Sequence, residues 1–378
     1  MPIARWSLLT RSSSIVRSSQ CFSATKNGVL ITYGGELKPR IPVDNEQDST
    51  QGILKGSIHT FDSVHSKSVD NATWATLSPN LSSQSGIVPD ARVGATTAID
   101  DGYLYLWGGR GGVDMAPLHG DQAGFFRSKL DGSSTVNWEH VPASNPTDAP
   151  EPRSYHSTVS HEGKIYIHAG CPTAGRLASL HSFDIGTRTW NILASAPDPA
   201  RGGTTLVLAN ISGAGPVLLR YGGFSGYQLP KEKGIVDIYV INKNEWHTVH
   251  PTSDPAHGNP GPRSVHGFAS FQSRSSALAD ALAVLYHGER DASSLGHAGA
   301  GQFWEDVWLL SKSQGSGLLE GWSWGKVEVP ENQEKPKGRG WFPSASWVGE
   351  DGETRAILHG GLLPSNGRSG ELWELTIA

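Results

Sequence analysis

The chain has 378 residues, of which 18% are charged, and a formal net charge of −5. Its basic residues form no stripe suited to nucleic acid, and no apolar run approaches the length of a membrane-spanning helix. The two cysteines, Cys21 and Cys171, supply no disulfide framework. We therefore expect a reduced, cytosolic setting, with neither nucleic acid nor a membrane as partner.

An arginine opens each of six consecutive segments, which then run through apolar residues to a stop marked by glycine. The arginines are, in chain order, Arg17, Arg92, Arg153, Arg201, Arg263 and Arg339. The corresponding stops end at Gly35, Gly109, Gly170, Gly223, Glu289 and Gly361. After each stop and a variable loop, a second extended pair leads to a tryptophan, such as Trp74, Trp190 or Trp246. The pattern of each unit therefore predicts four short strands, which bury their faces against neighbouring units.

The sixth unit ends with the chain, one strand and one tryptophan short of the others. Trp6, in the N-terminal stretch IARWSLL, supplies the missing residue type. We expect residues 3–9 to complete this unit and close the array into a ring, which removes an exposed sheet edge. The first 35 residues lack Asp and Glu and are rich in serine, as in a transit peptide, but cleavage would remove the closing strand. We favour the structural interpretation.

The diglycine stop and the later tyrosine and tryptophan resemble the kelch repeat along essentially the whole chain. The resemblance implies an all-β fold, namely a six-bladed kelch-type β-propeller with four antiparallel strands in each blade. Residues 1–378 then form one domain, whose blades start near the six arginines. The sequence departs from the repeat in the uneven spacing of the arginines and in the His-Gly-Glu stop at Glu289. A propeller does not by itself specify a function.

In a four-stranded blade, the start of the first strand, the end of the second strand and the loop that follows it lie on one face of the ring. We therefore expect the chemistry at one axial mouth. Glu36 and Cys171 belong to the loops that reach this mouth. The predicted substrate-binding residues are Arg92, Arg110, Tyr155, His156, Arg201, Phe224, Arg263, His266, Asp291, Arg339 and Trp341. A recurring arginine also has a structural interpretation, in which it ties blade ends together through carboxylates and carbonyls.

Histidine occupies the last apolar position before the stop in three units, at His168, His287 and His359. Tyrosine or tryptophan fills the same position in the other three units. The repeat also spaces the three histidines around the ring. We therefore expect them to pack between blades rather than to share a metal ion.

The most unusual loop, residues 288–301, combines an acid, a base and a histidine with several glycines. It resembles the Glu-x-x-x-Asp-x-x-x-His motif of plant thiocyanate-forming, nitrile-specifier and epithiospecifier proteins. That resemblance implies kelch propellers that redirect glucosinolate breakdown with ferrous iron. Glu289 and His297 fit the spacing, but Ser293 stands at the middle position and Asp291 lies two residues early. Since a hydroxyl is a poor substitute for a carboxylate ligand, we expect no metal. The structural alternative pairs Glu289 and Asp291 with arginines.

The sequence contains no nucleophile elbow, phosphate loop or zinc signature, and no pattern for the copper site of galactose oxidase. The chain is also similar to bare fungal kelch proteins of specialised-metabolite pathways. That resemblance implies a cyclase or pericyclase, such as a hetero-Diels-Alder catalyst, which needs orientation and hydrogen-bond donors but no cofactor. The predicted catalytic residues are Arg153, His297 and Glu289, and the expected partner is a small-molecule substrate. The alternatives are an iron-dependent specifier-like protein and a protein-binding scaffold.

Overall fold

Six small antiparallel sheets follow one another along the chain and pack around a common axis. The computed structural model describes residues 2–65, 73–80 and 87–378. The first strand of each blade contacts the first strand of the next blade, and the sixth blade contacts the first. The predicted all-β, six-bladed propeller is therefore confirmed.

Within each blade, four strands succeed one another from the axis outward. Blade 1 contains Cys21–Ala24, Val29–Tyr33, Ile58–Asp62 and Ala75–Pro79, and blade 2 contains Thr96–Asp100, Tyr103–Trp107, Phe125–Lys129 and Glu139–Val141. Blade 3 contains Ser157–His161, Lys164–His168, Leu180–Asp184 and Thr189–Leu193, and blade 4 contains Thr205–Ile211, Gly215–Tyr221, Val236–Val240 and Glu245–Val249. Blade 5 contains Gly267–Ser270, Ala281–Tyr286, Val307–Lys312 and Trp322–Val327, and blade 6 contains Ala345–Val348, Thr354–His359, Glu371–Ile377 and Ala4–Arg11.

Several short elements are added to this pattern. Thr135–Val136 pairs in parallel with Ala75–Pro79, so blade 1 has a fifth strand that the repeat did not predict. Two-stranded hairpins follow the stops of blades 1, 2 and 5, namely Glu36–Lys38 with Ile41–Pro42, Arg110–Gly111 with Ala116–Pro117, and Glu289–Asp291 with Gln302–Phe303. Short 3-10 helices span Gly120–Gln122, Pro146–Asp148, Ile241–Lys243, Ser276–Leu278 and Gly296–Ala298. In the described part of the chain, no helix is both long and apolar enough to cross a membrane.

The N-terminal strand closes the ring, as predicted. Ala4–Arg11 pairs antiparallel with the last strand, Glu371–Ile377, and Trp6 lies opposite Leu375. The strand runs two residues beyond the predicted end. Its start also bridges to the neighbouring blade, because Ile3 pairs with Glu328. The chain termini therefore share one sheet, and blade 6 has no missing strand.

One aromatic contact recurs at all six interfaces between blades. A tryptophan on or beside the outermost strand of each blade packs against the residue that ends the second strand of the preceding blade. The ring centroids are 4.9–6.1 Å apart in the pairs Trp138 and Tyr33, Trp190 and Trp107, Trp246 and His168, Trp324 and Tyr221, Trp6 and Tyr286, and Trp74 and His359. One tryptophan indole of this kind therefore packs at each of the six interfaces between blades.

The three histidines before the stops pack between blades, as predicted, but they do not share one position. His168 and His359 end their second strands, whereas His287 lies one residue later, after Tyr286. Its φ of 53° matches that of the first residue of the other stops, such as Gly34 at 62°. Its ring still lies 5.4 Å from that of Trp6. Burial lowers the pKa of His287 to about 3, so the ring packs as a neutral aromatic.

A closed belt of backbone hydrogen bonds surrounds the axis where the blades begin. In each blade, the residue two positions after the arginine donates its N–H to the carbonyl of the equivalent residue in the preceding blade, over 2.7–3.0 Å. These belt residues all have positive φ, between 46° and 63°. The belt consists of Ser19, Gly94, Tyr155, Gly203, Val265 and Trp341, and the bond from Ser19 to Trp341 closes it. Positive φ costs a non-glycine residue roughly 1 kcal/mol or more, so the closed belt must offset this strain.

Removal of residues 1–10 tests the closure of the ring. The deletion exposes the edge of the last strand and removes Trp6, which is buried between blades 5 and 6. Loss of a buried tryptophan alone costs about 3–5 kcal/mol, so we expect the melting temperature to fall by more than about 10 °C or the chain not to fold. Thermal unfolding followed by circular dichroism measures this effect, with Trp6→Phe as the conservative control. An unchanged melting temperature would show that the strand is dispensable.

Candidate functional site

Two cavities follow the propeller axis and meet at two aromatic residues. One, of about 430 Å³, is a channel lined by the innermost strands of all six blades. The other, of about 340 Å³, opens on the face that carries the loops after the glycine stops, and we call it the mouth. Tyr155 and Trp341 line both cavities, so they form the floor of the mouth.

The wall of the mouth is built from one equivalent position in every blade. The residue that follows the last glycine of each stop forms an isolated β-bridge with the residue that follows the blade's arginine. This bridge fixes the backbone next to the belt and places the residue after the glycine stop in the wall of the mouth. The six residues, which we call the mouth ring, are Glu36, Arg110, Cys171, Phe224, Glu289 and Leu362, and all line the cavity. Five of them lie in the predicted mouth loops, and Leu362 was missed although the repeat marks it.

Arg110 is the guanidinium best placed to bind an anion. Its Nε donates to Ser154 Oγ over 2.8 Å, and its guanidinium lies over the Tyr155 ring, 5.9 Å from the centroid. Arg176 lies in the same wall, over the Phe224 ring. In the described ranges, neither arginine has a carboxylate within 4.0 Å, whereas the Glu36 carboxylate is paired with Arg368 over 3.0 Å. The mouth therefore contains two guanidinium groups that are free to pair with a ligand.

Glu289 lies in the blade opposite Arg110, because blades 2 and 5 are three positions apart on the ring. Its side chain is only 5% exposed. Gln228 Nε2 donates to Oε2 over 2.9 Å and Trp341 Nε1 donates to Oε1 over 3.3 Å, but no cation lies within 4.0 Å among the residues described. Burial raises the pKa of this carboxyl above its ordinary value, and the two donors only partly oppose that effect. Glu289 can therefore hold a proton at a higher pH than an exposed glutamate.

The floor and the adjoining wall are aromatic. The rings of Tyr155 and Trp341 meet edge to face at 5.2 Å, and Phe224 packs 6.1 Å from Trp341. The Tyr155 hydroxyl donates to Ser19 Oγ over 3.3 Å, and burial raises the pKa of that phenol, which keeps it neutral. These three predicted substrate-binding residues, together with Arg110 and Glu289, are therefore brought together at the mouth.

Two predicted binding residues, His156 and His266, lie elsewhere. Both line the channel rather than the mouth, because each follows its blade's belt residue and so enters the first strand below the floor. Both are buried, and burial holds the pKa of each imidazole well below its usual range. The expected position of these two histidines at the mouth is therefore corrected.

The recurring arginines are also displaced from their expected position. All six are at most 5% exposed, and Arg92, Arg153, Arg201, Arg263 and Arg339 line neither cavity. In every blade the arginine Nη1 donates to the carbonyl of the residue before the last glycine of the stop, over 2.8–3.2 Å. Their side chains run back into the blade because these carbonyls would otherwise be buried without a donor. The placement of these arginines at the mouth is corrected in favour of the structural interpretation.

The loop that resembles the iron-binding motif does not provide a three-ligand site. Asp291 is exposed and pairs with Arg290 over 2.8 Å, and it does not line the mouth. Ser293 lines the mouth, but its Oγ accepts a hydrogen bond from the Leu295 N–H. His297 belongs to the helical turn Gly296–Ala298, and its side chain lies outside the described residues, so its predicted catalytic role stays a prediction. Among the described side chains, which do not include that of His297, no three metal-binding residues form a cluster. Glu289 lines the mouth and Asp291 does not, so the loop does not bring together the two carboxylates that a facial iron site needs.

Three residues of the mouth could not be predicted from the repeat pattern. Gln228 lies after the blade 4 stop and binds Glu289, whereas Arg176 and Arg368 come from loops of variable length. Loop residues have no equivalents in the other blades, so their position depends on the conformation of the loop. Only the approximate location of these loops could be derived from the sequence.

The fold and the mouth define a kelch-repeat propeller. Residues 51–278 match the family described as the KLHDC2/KLHL20/DRC7 Kelch-repeats domain, and the chain belongs to this family. The N-(sulfonatooxy)prop-2-enimidothioate sulfolyase of Thlaspi arvense is 24% identical over 91% of this chain and 88% of its own length. Human Kelch domain-containing protein 10 is 32% identical over 35% of this chain, which spans only 28% of that relative. The structure of YjhT covers 96% of both chains with a TM-score of 0.61 and 14% identity, which supports the fold alone.

Replacement of Arg153 by alanine tests whether this arginine is a brace, that is, a residue that stabilises the blade through its buried hydrogen bonds. Its guanidinium donates to the Ala169 carbonyl, the Ser179 hydroxyl and the Glu151 carbonyl. Loss of these bonds in a buried site should lower the free energy of unfolding by roughly 3 kcal/mol, measured by chemical denaturation. Arg176→Ala is the matched control, because that exposed side chain should leave stability within about 0.5 kcal/mol. Equal stability of the two variants would contradict the brace.

A second prediction concerns the proton on Glu289. Because its pKa is higher in the folded chain than in the unfolded chain, stability falls as pH rises from the unfolded value through the folded one. Glu289→Gln removes this titration. The stability of the variant relative to the wild type should therefore grow as pH rises through that window and stay constant above it. Denaturation at a series of pH values measures the difference, with the exposed Glu245→Gln as control. A pH-independent difference would contradict the raised pKa.

Proposed function

We propose that this kelch propeller is a small-molecule enzyme that acts on an organic anion at its axial mouth. In this proposal Arg110 binds the negative charge and Glu289 exchanges a proton with the substrate. The observation that carries the proposal is the buried Glu289 carboxyl, which lacks a cationic partner among the described residues and has a raised pKa. A buried carboxyl of this kind destabilises the fold once it ionises, and groups with such perturbed pKa values concentrate at functional sites.

The charge of the mouth supports an anionic substrate. Four arginines line it, namely Arg40, Arg110, Arg176 and Arg368, against two carboxyl groups, Glu36 and Glu289. The whole chain has a net charge of −5, so the mouth is a positive site on an acidic protein. Such a local field raises the concentration and the association rate of anions at the mouth.

The proposed chemistry needs no redox cofactor. A carboxyl with a raised pKa stays protonated to higher pH than an ordinary carboxyl and can act as a general acid, and a guanidinium can stabilise negative charge that develops or leaves. The name of the Thlaspi arvense relative describes a sulfolyase that acts on an O-sulfonated compound, and sulfate is a leaving anion. The proposal is therefore that this protein is a lyase or isomerase of specialised metabolism, with the leaving or developing anion beside Arg110.

A cyclase or pericyclase, including a hetero-Diels-Alder catalyst, is the second candidate. The observation that favours it is the aromatic surface formed by Tyr155, Trp341 and Phe224, against which a planar, apolar reactant could stack. Such a reaction requires orientation and hydrogen-bond donation but no net proton transfer. The two candidates therefore differ in what they demand of Glu289.

Glu289→Gln separates these candidates. The amide keeps the shape of the side chain and can donate a hydrogen bond, but it cannot transfer a proton. Acid–base catalysis should lose at least about 100-fold in kcat, whereas a cycloaddition should lose less than about tenfold. The first substrate to test is N-(sulfonatooxy)prop-2-enimidothioate, with sulfate release as the readout, followed by a panel of related sulfonated and carboxylated compounds.

Two further variants complete this experiment. Gln228→Met removes a donor that lowers the pKa of Glu289, so the alkaline limb of the kcat profile should move to higher pH. Arg110→Met should raise KM by about tenfold or more with little change in stability. If Glu289→Gln and Arg110→Met both retain wild-type kcat/KM on every compound that the wild type turns over, the mouth assignment fails.

A further inference from the structure

The loops that surround the mouth carry exposed apolar side chains. Leu37 and Ile41 lie on the blade 1 hairpin, Val113 on the blade 2 hairpin, Tyr227 in the loop after the blade 4 stop, and Leu295 in the blade 5 loop. We call these five residues the apolar rim. Val113 and Leu295 are 102% and 71% exposed. Each of the four loops also contributes residues to the wall of the mouth, so the apolar rim lies on loops that border the entrance.

The concentration of these residues at one place distinguishes them from ordinary surface residues. Eleven large hydrophobic side chains are exposed in the described part of the chain, and the rim contains five of them. The four loops make up only about a tenth of the chain, whereas isolated exposed hydrophobic residues are normally scattered. Leaving apolar side chains in water gains no folding free energy, so a bound apolar group is a physical reason for their position.

The anion site lies deep in the mouth relative to this rim. The Arg110 guanidinium lies over the Tyr155 ring, and Tyr155 is part of the floor. The aromatic pair of Tyr155 and Trp341 separates this position from the channel beneath it. An anion held at Arg110 must therefore direct the rest of its molecule outward, between the loops that carry the apolar rim.

We infer that the natural ligand is an amphiphilic organic anion, with an anionic head at Arg110 and an extended apolar part that covers the apolar rim. This inference rests on the anion site of the proposed function and adds the class of its substrate. Charge and apolar surface at the entrance are complementary to such a molecule. Each methylene that leaves water for the rim should strengthen binding up to about fourfold, the factor for complete burial.

A homologous series of n-alkanoates tests this inference without any need for turnover. Hexanoate, octanoate and decanoate are titrated below their critical micelle concentrations, and Kd is measured by isothermal titration calorimetry. We expect Kd to fall at least about tenfold from hexanoate to decanoate. The double variant Val113→Ser/Leu295→Ser should reduce this dependence on chain length by more than half. Ile192→Ser, at an exposed apolar residue on the outer strand of blade 3, is the matched control and should leave it unchanged.

Further binding measurements distinguish the contribution of the anion site from that of the rim, and an amphiphilic anion from other ligands. Arg110→Met should weaken all three alkanoates by a similar factor of about ten, and 1-octanol should bind at least about tenfold more weakly than octanoate. Glu289→Gln should keep the dependence on chain length, so a failure of the acid–base role would not affect this result. Flat affinity across the series, absence of alkanoate binding, equal binding of 1-octanol, or an unchanged slope in the double variant would overturn the inference. Binding to phosphatidylcholine–phosphatidylserine vesicles that the double variant abolishes would overturn it in favour of a membrane surface.

Discussion

The closed belt of six hydrogen bonds around the axis is the constraint on which the rest of the structure depends. Each belt residue has positive φ, which turns the chain sharply between the arginine and the first strand. That turn places the arginine inside the blade and the next residue in a bridge to the mouth ring. A second set of bonds, from the last glycine of each stop to the arginine carbonyl of the next blade, runs parallel to the belt. Because both series close on themselves, no single blade can rotate without breaking bonds to two neighbours.

This backbone symmetry separates structural residues from functional ones. The arginine is the same in every blade because it satisfies the same buried carbonyl in every blade. The mouth ring differs among the blades, since its side chains face a cavity and not a repeated partner. A residue that is invariant among the repeats is therefore a brace, and a residue that varies at an equivalent position is a candidate for function. Glu289 stands out in this ring, because the other glutamate, Glu36, is paired with Arg368 whereas the Glu289 carboxyl is buried beside amide and indole donors.

This distinction explains how much of the molecule could be predicted from the sequence. The blades, the closing strand with Trp6 and the packing of His168 against Trp246 follow from the repeat, because period and apolar pattern fix strands and faces. The approximate membership of the mouth ring follows from propeller topology. The direction of the arginine side chains could not be derived, since a Cα near the axis is compatible with a side chain that points into the mouth or back into the blade. Partners from long loops, such as Gln228, have no repeat to locate them.

The same reasoning limits what similarity at the level of the fold can transfer. The belt and the bonds from the stop glycines join backbone groups, and the buried arginines donate to backbone carbonyls within their own blades. The apolar clusters between blades require side chains of suitable size rather than particular residues, so much of the sequence can change without loss of the fold. The 14% identity to the propeller of YjhT illustrates this freedom. A chemical role depends instead on the few side chains at the mouth ring and on their supporting donors. In this chain those side chains are a carboxyl with a raised pKa and, in the opposite blade, a guanidinium that has no carboxylate partner among the described residues. Both lie over an aromatic floor, and the chemistry of the mouth depends on them.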